Sequence, residues 1–165
     1  MPQLMRSFVR WFVMLVAASA ACGPALADHP DIFYAGFVHD AQKEYAEASL
    51  TLALIDGRPL PTPAELGASC AAYLNGLGEA VGELRRHLLD SLRNGEVERC
   101  EGVLAAMSDI YDVLVTMDYP EAVTEGLRRT TDAVRGILER TRGDLTMALV
   151  SRRLERRIEE FGPRP

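Results

Sequence analysis

Two pairs of glutamates in this chain have side chains and spacings that suit metal binding or acid–base catalysis. Glu44 and Glu47 lie three positions apart in the segment KEYAEA, and Glu79 and Glu83 lie four apart in GEAVGE. Residues at these spacings share one face of a helix. Carboxylates brought together repel one another unless a proton or a cation relieves them, and their oxygens are the ligands that Mg²⁺ and Mn²⁺ prefer. The pairs therefore predict a divalent-cation site, with an ordinary solvated helix face as the alternative.

Other sequence signals narrow the chemistry. The chain has no CxxC, no GxSxG and no glycine-rich phosphate loop, and its three cysteines match no metal spacing. Net charge is −6, but residues 28–119 hold 6 basic against 16 acidic residues, whereas residues 120–165 hold 10 arginines against 8 acidic residues. The acidic part could host a cation and the arginine-rich part could contact phosphates, unless both are solvated faces of mixed charge.

The segments that carry these glutamates have the sequence pattern of helices. Apolar residues recur at helical spacing after Asp28, and no segment alternates as a strand would. We predict four main helices, over about 31–54, 68–92, 96–116 and 120–160. Asn94-Gly95 is a typical helix end, and three prolines stiffen the connector 57–63. Short connectors favour antiparallel neighbours, so the predicted fold class is an all-α antiparallel bundle with the glutamate pairs on neighbouring helices.

Three glycines in the second predicted helix need a reason. Gly76, Gly78 and Gly82 each cost about 1 kcal/mol relative to alanine in a helix interior. Three glycines within seven positions predict a close approach, either by another helix or by a ligand.

The first 27 residues have the three parts of a secretory signal peptide. Arg6 and Arg10 precede an apolar run over 11–21, and Ala25-Leu26-Ala27 follows it. The run is too short to cross a bilayer as a helix, so no membrane segment is expected in the mature chain. We divide the chain into residues 1–27, which are signal-like or a mis-assigned start, and residues 28–165, a helical domain.

The segment YLNGLGEAVGELRR, from Tyr73 to Arg86, resembles the motif helix of the translin family, and most of all that of translin-associated factor X and its archaeal relatives. KEYAEA, from Lys43 to Ala48, is similar to the earlier glutamate motif of the same proteins. The resemblance covers roughly residues 33–153 and includes RTRGDL, from Arg140 to Leu145. The two glutamate motifs at their mutual distance are moderately specific together.

The resemblance implies an all-helical fold, a homo-oligomer, and binding of single-stranded RNA or DNA. The factor X branch is similar to a metal-dependent endoribonuclease, which implies Mg²⁺ (or Mn²⁺) as cofactor. The implied catalytic residues and metal ligands are Glu44, Glu47, Glu79 and Glu83. Glu79 stands where the animal factor has aspartate. Arginines suit phosphate contacts, and the candidates are Arg85, Arg86, Arg128 and Arg129.

Alternatives of other classes remain open at this point. One is a non-catalytic module that binds single-stranded DNA or RNA, another is a helical nucleotide pyrophosphohydrolase, and a third is an exported bundle without a site. The resemblance implies a cytoplasmic location, whereas the signal-like segment implies export. Family members have helical sequence before the first glutamate motif, where this chain has the signal-like segment. We favour a mis-assigned start over a true signal peptide, because the resemblance beyond Asp28 is the longer signal.

Overall fold

The structure, a computed structural model, describes residue 26, residues 28–34 and residues 36–162. The described residues form seven helices and no strand, which confirms the all-α class. The helices are α1 (Pro30–Phe33), α2 (Gly36–Asp56), α3 (Pro63–Leu66), α4 (Cys70–Arg93), α5 (Val97–Val115), α6 (Glu121–Thr124) and α7 (Leu127–Glu160). None of these helices is long and apolar enough to cross a membrane. Nearly all of the signal-like segment lies outside the described residues.

Helix α4 is the centre of the bundle and packs against α2, α5 and α7. The apolar stripe predicted for it is buried where it faces the other helices. Each fully buried leucine or valine stabilises the fold by roughly 1.5–3 kcal/mol. The core of α4 consists of Leu77, Ala80, Val81, Leu84 and Leu88, and it meets Leu50 of α2, Met107 of α5 and Val134 of α7.

Helices α2 and α4 run in the same direction, which the short-connector argument did not predict. Ser69, just before α4, donates its backbone N–H to the side chain of Gln42 near the start of α2 (3.1 Å). At the other end, Arg99 of α5 donates to the backbone oxygen of Ile55, close to the end of α2 (3.5 Å). Because α5 follows the end of α4, both glutamate helices begin and end together. The connector 57–69 is long enough to return along the bundle, whereas α4 and α5 are antiparallel as expected.

The predicted fourth helix is divided in two. Glu125 has φ 48° and Gly126 has φ 93°, both in the left-handed region, through which an α-helix cannot continue. The buried amide of Asn75 holds this break: its nitrogen donates to the backbone oxygen of Thr124 (2.9 Å), and its oxygen accepts from the hydroxyl of Thr130 (2.7 Å). Helix α7 therefore starts at a fixed position against α4.

The first predicted helix and its connector also differ in detail. Helix α1 is separate from α2, and Tyr34 lies in a turn between them. The connector contains the one-turn helix α3, which begins with a capping box. Thr62 accepts from the backbone N–H of Glu65, whose carboxylate accepts from the backbone N–H of Thr62.

The second half of α7 carries an apolar stripe that lies on the surface. Its members recur every three or four residues, so they share one face of the helix. They are between 51% and 78% exposed, although the sequence pattern resembles that of a core-facing helix. We call this set the α7 stripe: Met147, Val150, Leu154, Ile158 and Phe161.

Cys70 and Cys100 are free thiols. Cys70 is the first residue of α4, whereas the Sγ atom of Cys100 lies 3.6 Å from the backbone oxygen of Leu88. Leu88 is 18 residues further along α4, or about 27 Å at 1.5 Å per residue. A disulfide needs Cα atoms within about 7 Å, so these two cysteines cannot pair in this fold.

Candidate metal centre and the cleft beside it

Three of the four predicted glutamates converge. Carboxylate oxygens of Glu44 and Glu47 on α2 and of Glu79 on α4 all lie within 4.8 Å of one another. Such a set could hold a metal ion, because three oxygen donors of one chemical type face a common point. The identity of the metal is not fixed by this geometry.

The convergence depends on the close approach of α2 and α4 at Gly76. A Cβ atom at this position would lie 2.6 Å from the backbone oxygen of Lys43, 2.9 Å from Cβ of Ala46 and 2.9 Å from the backbone nitrogen of Glu47. The backbone of α4 therefore touches the backbone of α2 at the residue that carries a site carboxylate. The predicted close approach is one of helix on helix here.

The carboxylate of Glu47 is the member of the cluster whose pKa is raised by its surroundings. The pKa of Glu47 is raised to about 7, first by burial and then by the neighbouring charges of Glu44, Glu79 and Glu83, against a smaller lowering by Lys43. Both effects disfavour the ionised form. A cation at the centre of the cluster would relieve them.

Lys43 already places one positive charge in the cluster. Its ammonium lies 3.0 Å from Oε1 of Glu79, and the two side chains are 21% and 36% exposed. Although burial lowers the pKa of Lys43, its bond to Glu79 and the charges of Glu79, Asp40 and Glu44 together raise it. Lys43 is a residue of the site that the pattern of acidic residues did not predict. Its position four residues before Glu47, on the same helix face, is the signal that could have done so.

Glu83 lies outside the three-member group. The Nη1 atom of Arg86 is 2.9 Å and 3.0 Å from its two carboxylate oxygens. Glu83 is one turn after Glu79 on α4 and near enough to Glu47 to raise its pKa. Its role as a ligand or a base stays a prediction, as does the contact of Arg86 with phosphate.

The remaining predicted arginines fall into two groups. Arg85 is only 24% exposed, and it donates to the hydroxyl of Thr141 (2.9 Å) and to Oδ2 of Asp144 (2.7 Å). It therefore joins α4 to α7 as a structural contact. Arg128 and Arg129, in the first turn of α7, are both exposed, unlike Arg85.

A cleft of about 400 Å³ runs between α4 and α7 beside the carboxylates. Its lining includes Glu47, Glu79 and Arg129, so it brings the predicted acidic and basic residues to one place. Its width is set in part by Gly78, where a Cβ atom would collide with Thr130 of α7. The apolar part of the lining consists of Ala133, Val134 and Ile137.

No family model matches the chain. An uncharacterized protein of Methanocaldococcus jannaschii is 33% identical over 137 residues, which are 82% of this chain. The chain spans 60% of the length of that relative.

Solved structures give a fuller match. The crystal structure of AfC3PO is 31% identical, with a TM-score of 0.75, over 89% of this chain and 75% of that chain. AfC3PO in a complex with duplex RNA is 28% identical, with a TM-score of 0.74, over 91% and 90% of the two chains. Apo-NeC3PO is 21% identical, with a TM-score of 0.75, over 88% and 76%, and it supports the fold alone.

The fold and the site thus define an all-helical, translin-like protein with a carboxylate cluster between two parallel helices. The identity with AfC3PO, over three quarters of that chain, confirms the resemblance carried by the two glutamate motifs. The chain belongs to the translin family.

Proposed function

We propose that the protein is a metal-dependent endoribonuclease that cuts single-stranded RNA at the carboxylate cluster of α2 and α4. The observation that carries the proposal is the convergence of Glu44, Glu47 and Glu79 within 4.8 Å. The complex of AfC3PO with duplex RNA supports a nucleic acid as the ligand.

The residues of the cluster fit Mg²⁺ or Mn²⁺. These ions take hard oxygen donors, and Mg²⁺ is commonly held by one or two carboxylates together with waters and substrate phosphates. Glu44, Glu47 and Glu79 would hold the ion. Burial and like charge leave the ionised form of Glu47 uncompensated, which is what a divalent cation corrects.

The chemistry divides between the ion and the chain. A bound divalent cation supplies a Lewis acid for a phosphoryl oxygen and lowers the pKa of water. Glu83, beside the cluster but outside it, is our candidate to accept the proton of the attacking water. Arg129 would contact a backbone phosphate, since arginine binds phosphate through two parallel hydrogen bonds. The apolar part of the cleft would take the sugar or base of the same nucleotide.

A second candidate function is a nucleic-acid-binding module without catalysis. The observation that favours it is that Lys43 and Arg86 already pair with Glu79 and Glu83. In that case the ion pairs neutralise the acids, and exposed arginines alone contact the phosphates. Binding would fall steeply with salt and no metal would change it.

We also propose that the protein acts as a homo-oligomer and in the cytoplasm, where RNA substrates occur, with residues 28–165 as the functional domain. The α7 stripe supports oligomerisation, because burying apolar surface gains roughly 25 cal/mol per Å². An exposed stripe of five large apolar residues on one helix face fits a contact between protein chains.

The test is cleavage of end-labelled single-stranded RNA by the purified protein, with Mg²⁺ or with EDTA. We expect cleavage only with Mg²⁺, and a rate at least about 100-fold lower in Glu79→Gln, with RNA binding retained. Glu101→Gln, an exposed glutamate of α5, is the matched control and should cleave normally.

Other substrates separate the alternatives in the same assay. Preferential cleavage of duplex RNA would replace the single strand as substrate. Release of pyrophosphate from nucleoside triphosphates would identify a pyrophosphohydrolase. Binding without cleavage at any Mg²⁺ or Mn²⁺ concentration would reject the nuclease in favour of the binding module.

A further inference from the structure

Lys43 places a positive charge beside the glutamates of the cluster. Its ammonium sits 3.0 Å from Glu79, inside the set of carboxylates that would hold a cation. The side chain is 21% exposed, so this contact is partly shielded from water. An ammonium bonded to Oε1 of Glu79 competes with a metal ion for the negative charge of that carboxylate.

We propose that Lys43 is an internal competitor for the divalent cation: its ammonium neutralises Glu79 in the metal-free protein and is displaced when the cation binds. The inference rests on the proposed metal site. It assigns to Lys43 the role of setting the affinity for the ion, not that of a ligand.

The geometry allows the exchange without movement of the helices. The lysine stem has four flexible carbons, so its head group can leave Glu79 while α2 stays in place. Asp40 lies three residues before Lys43 on the same helix face, is exposed, and is near enough to act on its charge. The displaced ammonium therefore has a second carboxylate within reach.

The exchange also explains why the metal-free cluster is compatible with the fold. Three carboxylates within 4.8 Å of one another would repel strongly without a counter-charge. Lys43 supplies one positive charge, which leaves a net negative site that still attracts a divalent ion. Removing that charge should strengthen the attraction for the ion and weaken the metal-free fold.

The experiment is a calorimetric titration of the full chain with Mn²⁺ at fixed pH and about 0.15 M salt. We expect Lys43→Met to bind Mn²⁺ about tenfold more tightly than wild type, which corresponds to about 1.4 kcal/mol. Lys43→Arg keeps the charge and should stay within about threefold of wild type. Arg93→Met removes an exposed charge near the far end of α4, beyond the screening length, and should leave the affinity unchanged.

Each outcome decides the matter. An affinity of Lys43→Met equal to or weaker than that of wild type overturns the role of Lys43 but leaves the metal site standing. If neither protein binds Mn²⁺, the proposed function falls as well. Should Lys43→Met fail to fold by circular dichroism, Lys43→Gln, which is polar and uncharged, takes its place with the same expected gain.

Discussion

Replacing Gly76 by alanine perturbs the contact that brings the two glutamate helices together. The added Cβ atom would lie 2.6 Å from the backbone oxygen of Lys43 and 2.9 Å from the backbone nitrogen of Glu47. Backbone atoms cannot rotate away as a side chain could, so α2 and α4 must separate. An ordinary contact begins at 3.4 Å, which requires a separation of about 0.8 Å.

The size of the effect follows from two opposing terms. Overpacking of a close contact costs roughly 1–3 kcal/mol, whereas alanine gains about 1 kcal/mol over glycine in a helix. We expect Gly76→Ala to lower the free energy of unfolding by up to about 2 kcal/mol. A shift of about 0.8 Å also exceeds the roughly 0.5 Å tolerance of a preorganised site, so Mn²⁺ affinity should fall by about tenfold or more.

The matched control is Gly82→Ala on the same helix. A Cβ atom at Gly82 meets nothing within 4 Å, so this variant gains the helix propensity without a clash and should be more stable by up to about 1 kcal/mol. Urea denaturation followed by circular dichroism measures both changes, provided that the slope of the transition is unchanged. Equal stability of the two alanine variants would refute the argument that helix contact requires Gly76.

Three further predictions concern charged residues. The pKa of Glu47 is raised from 4.5 to about 7 in the folded protein. Between these two pH values the native state holds a proton that the unfolded state has lost. The free energy of unfolding without metal should therefore fall as pH rises from about 5 to about 8. Thermal melts in EDTA should show this slope flattened in Glu47→Gln, and an unchanged slope would exclude Glu47 as its source. Arg129→Ala should weaken RNA binding and lower the slope of log affinity against log salt by about 1, with stability unchanged within about 0.5 kcal/mol. Arg85→Ala should instead lower the free energy of unfolding by about 1–2 kcal/mol, because it loses the hydrogen bonds to α7. Filter binding measures the affinity for RNA and urea denaturation measures the stability. A loss of stability in Arg129→Ala together with a loss of RNA binding alone in Arg85→Ala would contradict these assignments.

Features set by local spacing were predictable from the sequence. The buried face of α4 follows directly from a 3.6-residue period, and so does the pairing of acids on each helix. Gly76 and Gly78 indicated close contacts, because a glycine inside a helix otherwise lowers the stability of the helix. Gly82, which has the same cost and no contact, shows that this signal alone does not locate the contact.

Features set by contacts distant in sequence were not predictable. The parallel course of α2 and α4 depends on how the connector 57–69 returns, and residue spacing says nothing about that path. Arg85 is 59 residues from Asp144 in sequence, so no local spacing signals the bond between them. Lys43 is not of a metal-ligand residue type, so a pattern of acidic ligands does not reveal the counter-charge that it places beside them.

The turn before α7 had a signal that the helical pattern outweighed. Gly126 adopts φ 93°, a value that glycine reaches without strain, and it is the N-cap of α7, directly after Glu125, the C-cap of α6. The α7 stripe shows another limit: its apolar residues recur at the spacing of a buried helix face, yet they are exposed among the described residues.

The central claim is that Glu44, Glu47 and Glu79 together hold a divalent cation. Its most direct test is anomalous X-ray scattering from crystals of the protein grown with Mn²⁺, beside crystals of Glu47→Gln. We predict a peak within coordination distance of carboxylates from both α2 and α4 in the wild type, with Lys43 moved off Glu79, and no peak in the variant. Full Mn²⁺-dependent cleavage in solution together with no peak at the cluster, or a peak elsewhere, would contradict it.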